Sequence, residues 1–134
     1  MPQLLLRTAD RVRWTADTIP TKHVSSAGMF TVRGDGTATF DRHYHDFGEF
    51  WCIAAGAGIL QIGQNSFEVQ AGDVLYTPPG TVHDIVAVGE PMRIFWLSEP
   101  IPEGGRQGHQ HQTPTDADKH PIPSMYDQGQ AERS

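Results

Sequence analysis

Apolar residues before Pro100 occur in short runs or alternate with polar residues, and turn-forming residues separate these segments. No stretch longer than a few residues repeats its apolar positions at helical spacing. Short segments of this kind are typical of β-strands. The pattern therefore predicts an all-β chain, with strands at 11–15, 28–33, 37–45, 49–55, 58–62, 66–69, 73–77, 82–88 and 92–98.

Glycine and proline are abundant between these strands. The 134 residues include 14 Gly and 10 Pro, against 10 Lys and Arg. Turn-forming residues fill the segments 34–36, 56–58, 63–65, 71–73 and 78–80. Closely spaced short strands with such turns favour a sandwich or a small barrel. The length suits a single domain with a buried core.

The composition changes after Pro100. Residues 101–134 are rich in Pro, Gly, Gln, Asp and Ser, and their sizeable apolar residues are Ile101, Ile122, Met125 and Tyr126. A segment with so few apolar residues cannot fold alone. We expect a barrel over 1–100. Over 101–134 we expect either a disordered tail or an arm that docks on the barrel or on a neighbouring subunit through 120–126.

Charge and cysteine content narrow the classes of partner. The formal net charge is -6 and Lys and Arg do not cluster, so the chain lacks the attraction to phosphates on which nucleic-acid binding depends. The single cysteine, Cys52, excludes an intramolecular disulfide. Arg7 ends the apolar run at 4–6 well before the length of a signal sequence or membrane span. We expect a cytoplasmic protein with no nucleic-acid or membrane partner.

Two histidines and a glutamate that lie close together in the sequence carry the clearest chemical signal. His43 and His45 stand two apart on a predicted strand, so their rings share one face. A bend at 46–48 would bring Glu49 beside them, and His83 offers a further imidazole after the turn at 78–80. Three imidazoles and a carboxylate suit one divalent ion of Fe, Mn, Ni, Co, Cu or Zn and leave coordination positions open.

The spacing of these residues resembles the two sequence motifs of small single-domain cupins. The first motif corresponds to His43-x-His45-x-x-x-Glu49 followed by Gly56, and the second to Gly72-Asp73 followed by Pro78-x-Gly80-x-x-His83. The chain departs from the motifs at Thr37 and Ala87, where a glycine and an asparagine are usual. The resemblance implies a double-stranded β-helix of jelly-roll type, a cupin barrel that holds a metal ion through His43, His45, Glu49 and His83.

Residues 41–49 and 72–83 also resemble the ligand-binding cupin of AraC-type regulators. Those regulators carry a helix-turn-helix domain, and no such pattern follows Pro100. Two functions stay open. The first is a metal-dependent enzyme of dioxygenase, isomerase or lyase type that acts on a small oxygenated or carboxylated substrate. The alternative is a non-catalytic cupin that binds or senses a small molecule.

Other residues are candidates for the surroundings of the metal. Strand alternation from Glu49 predicts that Trp51 faces the pocket. Glu49 and Tyr76 are the candidates for proton transfer, although a strand tyrosine is more often half-buried structure. In the last strand, one parity turns Arg93 and Phe95 inward, where Arg93 would bind a substrate carboxylate. The opposite parity turns Ile94 and Trp96 inward and leaves Arg93 as a surface residue.

The remaining predictions concern the other histidines and the assembly. We expect His23, His109, His111 and His120 to be satisfied or solvent-facing residues and not ligands, because an isolated histidine usually is. His109-x-His111 repeats the spacing of His43 and His45, but it lies in a Gln/Gly-rich stretch with no strand to aim the rings. We also expect a homodimer, in which an exposed strand at 4–6 extends the sheet of a partner.

Overall fold

The computed structural model describes residues 4–126. Over this range the chain forms eight strands and one short 3-10 helix, so it is all-β as the hydrophobic pattern predicted. The strands are β1 (Arg13–Thr15), β2 (Ser26–Val32), β3 (Thr39–Phe40), β4 (Glu49–Ile62), β5 (Asn65–Gln70), β6 (Val74–Thr77), β7 (His83–Ser98) and β8 (His120–Pro121), and the 3-10 helix spans Pro114–Ala117.

Six of these strands form one antiparallel sheet in the order β1-β2-β7-β4-β5, with β6 also paired to β4. The long strands β4 and β7 pair from Glu49 opposite Ser98 to Ile62 opposite His83. The first half of β4 pairs with β6 on its other side, and the second half pairs with β5. β3 and β8 form a separate small pair. The β4–β7 ladder therefore links the other strands of the main sheet.

Four predicted strands merge into two in the structure. The segments 49–55 and 58–62 form the single strand β4, and 82–88 and 92–98 form β7. Gly56 has φ 85°, and the β4–β7 register shifts on both sides of it. This is a bulge, which bends a strand without reversing it. A Cβ at position 56 would lie 2.1 Å from the carbonyl oxygen of Pro91, so the bulge requires glycine.

The predicted strand at 37–45 is shorter than expected. Only Thr39–Phe40 forms a strand, and His43 and Tyr44 each make an isolated β-bridge further along. The segment at 4–6, expected to be an edge strand, lies outside every strand.

Strand alternation holds in the first half of each long strand. Glu49, Trp51 and Ile53 are buried along β4, with Trp51 inward as predicted, and His83 and Ile85 are buried along β7. The parity of β7 then changes, because Ala87 and Val88 are both buried and the ladder is irregular there.

The second half of β7 therefore takes the second of the two predicted parities. Met92 and Ile94 point inward, Trp96 is half-buried, and Arg93 and Phe95 are exposed. Arg93 and Phe95 were predicted to face a substrate pocket inside the barrel. Because the parity changes, both side chains point outward instead.

The apolar core lies between the inward faces of the sheet. Its buried members are Val32, Trp51, Ile53, Leu60, Val69, Leu75, Ile85, Val88, Met92, Ile94 and Ile122. The last of these comes from beyond Pro100, and Phe30, Phe40 and Trp96 pack against the cluster.

Residues 101–126, which we call the C-terminal arm, lie on the barrel. β8 pairs with β3, and the Ile122 amide donates to the Ala38 carbonyl at 3.0 Å. The Val88 amide donates to the Pro123 carbonyl, also at 3.0 Å. The side chain of Ile122 is only 2% exposed. The arm thus closes part of the core. Within residues 4–126 we find no helix with the length and apolar character needed to cross a bilayer.

We expect Ile122→Ala to lower the free energy of unfolding by about 2–4 kcal/mol, because it removes buried apolar contacts and leaves a cavity in the core. Urea denaturation measures the change. Leu4→Ala is the matched control, since it removes as many carbons from a side chain that is 86% exposed, and it should shift stability by less than about 0.5 kcal/mol. Equal effects of the two substitutions would contradict the packing of the arm.

Candidate metal centre

Backbone pairing brings His43 and His83 together. His43 donates its amide to the His83 carbonyl at 3.2 Å, and the His83 amide donates back to the His43 carbonyl at 2.8 Å. This isolated bridge sets the two side chains on one face, with ring centroids 4.3 Å apart. The sequence separation of the two residues is thus overcome by a single pair of backbone hydrogen bonds.

His45 joins the pair from two positions further along the same segment. Its ring centroid lies 4.8 Å from that of His43 and 5.0 Å from that of His83. One ligand atom from each of the three residues lies within 4.8 Å of the others, and the residues are 2%, 4% and 1% exposed. The three imidazoles predicted as metal ligands therefore converge inside the barrel.

The hydrogen bonds of these rings fit a metal site. His43 Nδ1 donates to the backbone carbonyl of Asp41, and His83 Nδ1 lies 3.4 Å from the Thr81 carbonyl. Metal-bound histidines commonly bond a carbonyl through the nitrogen that faces away from the ion. Among the residues described, His45 Nδ1 and His83 Nε2 are buried without any hydrogen-bond partner. An ion would satisfy donor atoms that are otherwise costly to bury.

Burial keeps the three rings uncharged. Loss of hydration first, and the neighbouring imidazoles second, lower the pKa of His43 to about 4, of His45 to about 3 and of His83 to about 2. At neutral pH the rings are therefore neutral, which is the form that coordinates a metal.

Glu49, predicted as the fourth ligand, lies in the same cavity but is engaged by other groups. Trp51 Nε1 donates to Glu49 Oε1 at 2.6 Å, and the Ser98 hydroxyl donates to Oε2 at 2.8 Å. Burial raises the pKa of this carboxyl despite those two hydrogen bonds. The carboxylate is not part of the three-imidazole group. Its role as a ligand stays a prediction.

The cavity in front of the histidines has a volume of about 480 Å³, within the ordinary range of small-molecule sites. Trp51 contributes to its wall, as predicted from strand alternation. Aromatic side chains form much of the rest, from Phe30, Phe40, Phe47 and Trp96. The lining also includes Arg13 of β1 and Gly108, His109 and Lys119 of the C-terminal arm.

Three of the predicted site residues lie elsewhere. Arg93 and Phe95 face outward for the reason given above. Tyr76 pairs in register with Phe50, whose side chain also faces outward, so the two rings meet on the outer surface with centroids 4.8 Å apart. The Tyr76 hydroxyl donates to Glu99, and Tyr76 does not line this cavity. The parity of β6 thus removes Tyr76 from the site.

The C-terminal arm contributes residues that the sequence analysis did not assign to the site. His109 stacks on His43 with centroids 3.5 Å apart and planes at 6°. The Asp41 carboxylate lies 2.8 Å from His109 Nδ1 and 2.9 Å from His111 Nε2. Burial opposes ionisation of Asp41, but the hydrogen bonds from His111 and His109 lower its pKa overall.

Asp41, His43 and His109 also come close enough to form a second possible ligand group. Further along the arm, Arg106 donates to Asp46 through Nε at 2.8 Å and through Nη2 at 3.1 Å. The backbones of Tyr44 and Gln110 exchange hydrogen bonds of 2.9 Å. The arm is therefore attached beside the histidines by several polar contacts. The sequence signal that could have assigned histidines of the arm to the site was the His109-x-His111 spacing, which repeats that of His43 and His45.

Comparisons with known proteins agree with this architecture. The AraC-like ligand binding domain family matches residues 28–103. An uncharacterized protein, y4oW, of Sinorhizobium fredii is 36% identical over 83 residues, which are 58% of this chain and 38% of that protein. The chain thus spans well under half the length of that relative.

Solved structures share the fold at low sequence identity. A cupin protein from Bacteroides fragilis superimposes with a TM-score of 0.56 and 18% identity, covering 81% of this chain and 89% of that one. Salicylate 1,2-dioxygenase from Pseudoaminobacter salicylatoxidans, in complex with gentisate, superimposes with a TM-score of 0.59 and 15% sequence identity, covering 75% of this chain and 29% of that one. These likenesses concern the fold alone. Since the family match takes in more than half of the chain, the chain belongs to the AraC-like ligand binding domain family and has the cupin double-stranded β-helix fold.

Proposed function

We propose that this protein binds one divalent transition-metal ion, of Fe, Mn, Ni, Co, Cu or Zn, through His43, His45 and His83. It would use that ion to bind a small oxygenated or carboxylated molecule in the cavity. The observation that carries the proposal is the convergence of three buried, neutral imidazoles, two of which have ring nitrogens without a partner. Three nitrogen ligands leave coordination positions open for such a molecule.

A bound divalent ion would supply Lewis-acid polarisation of a coordinated oxygen. The protein would supply positioning and proton transfer. Trp51 and Ser98 orient the Glu49 carboxyl through the hydrogen bonds described, and burial raises its pKa, which favours the protonated form that can donate a proton. We keep Glu49 as the proposed catalytic residue and as the proposed fourth ligand. Tyr76 no longer has a proposed role.

An enzyme of dioxygenase, isomerase or lyase type is the first candidate function. It is supported by the open site and by the buried carboxyl beside it. The non-catalytic alternative, a binding or sensing cupin, is supported by membership of the AraC-like ligand binding domain family. Turnover distinguishes the two, since an enzyme consumes O2 or converts its ligand, whereas a sensor shows only a ligand-induced rise in melting temperature.

We further propose that the protein is cytoplasmic and does not bind nucleic acid. A cytoplasmic location is supported by the lone cysteine, Cys52, which has no disulfide partner within its own chain. The net charge of -6 continues to argue against nucleic acid as a partner.

A second copy of the chain is the proposed protein partner. Phe50 lies opposite both Tyr76 and Leu97 across the sheet, and Phe95 is the next outward residue on β7, so these four exposed side chains form one apolar face. Glu99 accepts a hydrogen bond from Tyr76 at one end of this face, and Arg93 lies exposed at the other end.

Two copies packed antiparallel on this face would bring Arg93 of each against Glu99 of the other. Such a two-fold interface is self-complementary in charge as well as in shape. This face replaces the edge at 4–6, which is not a strand.

We expect His43→Ala and His83→Ala each to abolish stoichiometric metal binding, because two imidazoles cannot hold the ion as three do. Metal content after purification and dialysis, measured by mass spectrometry, tests this. Glu49→Gln resolves the role of the carboxyl. Loss of the metal would identify a ligand, whereas full metal content with loss of turnover would identify a proton carrier. Full metal content in both histidine variants would overturn the site.

Metal-free protein should lose stability as the pH falls below about 6.5. There the unfolded chain takes up protons on these histidines while the folded chain, with its lowered pKa values, does not. Each buried histidine contributes a slope of up to about 1.4 kcal/mol per pH unit. Denaturation in EDTA between pH 7.5 and pH 5 measures the slope. His83→Asn should reduce the slope by the contribution of one histidine, and His23→Asn, at an exposed position, should leave it unchanged. A stability independent of pH in this range would contradict the burial of neutral rings.

Phe95→Lys should convert the proposed dimer to a monomer, because it places two charges in the centre of the apolar interface. Light scattering coupled to size-exclusion chromatography gives the mass. Tyr126→Lys changes an exposed aromatic residue of the arm and should leave the dimer intact. A wild-type chain that is monomeric at micromolar concentration would refute the assignment.

A further inference from the structure

We infer that the ligand of the cavity is a planar carboxylate, such as a carboxylate on an aromatic or conjugated ring, and that Arg13 and Lys119 bind its charged group. The inference rests on the proposed function in one respect, that the cavity in front of the histidines is the ligand site. It replaces the sequence-based prediction that Arg93 would bind the carboxylate.

The charged residues that line the cavity indicate that the ligand carries an anionic group. Arg13 and Lys119 are exposed at its lining, and neither forms a salt bridge with any residue between 4 and 126. The acidic groups nearby are already engaged. Asp41 bonds His109 and His111, and Glu49 accepts from Trp51 and Ser98. Asp41 and Glu49 line the cavity together with Arg13 and Lys119, so both signs of charge are present, but only the two cations are left without a hydrogen-bond or salt-bridge partner among the residues described. An unpaired cation at the wall of a cavity favours a ligand that brings an anionic group to it.

The two cations reach the cavity from different parts of the chain. The Arg13 guanidinium lies 6.0 Å from the centre of the Trp96 ring, and its charge lowers the pKa of Glu49 slightly. Lys119 precedes His120, which is in register with Phe40, so antiparallel pairing sets Lys119 beside Asp41. Arginine and lysine are suited to carboxylates as forked and as point donors respectively.

The aromatic side chains of the cavity wall indicate that the ligand is a flat molecule. Five aromatic side chains line the cavity, and three of them pack edge-to-face, with Phe30 5.4 Å and Phe40 5.9 Å from Trp51 between ring centroids. Such rings offer broad apolar surfaces on which a planar group buries more area than a compact, fully hydroxylated one. A volume of about 480 Å³ accommodates one ring and its substituents.

The same residues make a hydroxyl-rich neutral ligand a poor fit. Such a ligand needs several hydrogen-bond acceptors and donors along the wall, each of which must be paired when the ligand is buried. Among the lining side chains, the carboxylates of Asp41 and Glu49 are occupied and the Ser98 hydroxyl donates to Glu49, so the hydroxyl groups left for a ligand are those of Ser26 and Thr39. The five aromatic side chains offer little polar surface. A charged end and a flat apolar body match the lining better.

Binding of benzoate, titrated by quenching of tryptophan fluorescence and by calorimetry, tests the inference on the full chain. We expect saturable binding of benzoate, and binding of benzamide, its neutral counterpart of the same shape, that is weaker by about tenfold or more. Cyclohexanecarboxylate, which has the charge without the flat ring, should also bind more weakly than benzoate. Equal affinity for benzoate and benzamide would overturn the role of charge.

Substitutions of single residues test whether Arg13 and Lys119 are the groups that bind the carboxylate. Arg13→Gln and Lys119→Gln should each weaken benzoate binding by about tenfold, while Arg33→Gln, at an exposed position outside the cavity, should leave it unchanged. Unchanged affinity in both cavity variants would overturn the inference. Metal content, measured on the same samples, separates this test from that of the proposed function. If the wild-type chain binds no metal but benzoate binding still depends on Arg13 and Lys119, the metal proposal fails and the ligand class stands. If metal is retained and benzoate does not bind, the ligand class fails alone.

Discussion

The antiparallel ladder between β4 and β7 is the constraint on which the rest of the structure depends. These two long strands pair from Glu49 with Ser98 to Ile62 with His83, and the shorter strands of the main sheet attach to them directly or through β2. Their inward side chains supply most of the core, and the same alternation that buries Ile53 and Ile85 turns Glu49 and His83 toward the interior. The site is therefore built on the most extensively hydrogen-bonded part of the molecule, which positions its side chains with little freedom.

The histidines combine this rigid strand with a loop. His83 begins β7, whereas His43 and His45 lie in a segment with only isolated bridges between β3 and β4. The His43–His83 backbone pair joins the two, and the C-terminal arm supports the loop from outside through Asp41, Asp46 and Tyr44. Burying three imidazoles costs free energy because their hydration is lost, and the lowered pKa values express that cost. A bound ion would coordinate the buried ring nitrogens and so offset their lost hydration, which is the physical basis of the metal proposal.

Family membership and fold similarity carry different amounts of information about function. Membership of the AraC-like ligand binding domain family concerns residues 28–103, which include every imidazole of the proposed centre. Likeness to a dioxygenase structure at 15% identity concerns only the path of the chain. Part of the cavity lining lies outside the matched segment, since Arg13 and the arm residues His109 and Lys119 also contribute to it. The chemistry of the ligand therefore has to be argued from those side chains.

Much of the fold was predictable from the sequence because its signals are local. Alternation and turn residues predicted the strands, and the spacing of His43 and His45 placed both rings on one face, since each of these signals depends on neighbours within one strand or turn. That His83 joins them was implied by the resemblance to the cupin motifs. Non-local effects decided the rest. The bulge at Gly56 joined two predicted strands into one, because an extended partner strand was present to keep the ladder going.

Non-local effects also explain why some site residues were predicted wrongly. A change of parity near Val88 turned Arg93 and Phe95 outward, and the pairing of β6 with β4 turned Tyr76 outward, whereas alternation within one strand does not specify which face is buried. The sequence by itself determined an all-β chain with a three-histidine group. Only the tertiary structure decided that Ile122 completes the core and that the arm brings His109 and Lys119 to the cavity, because contacts between residues some seventy to eighty positions apart leave no periodic trace in the chain.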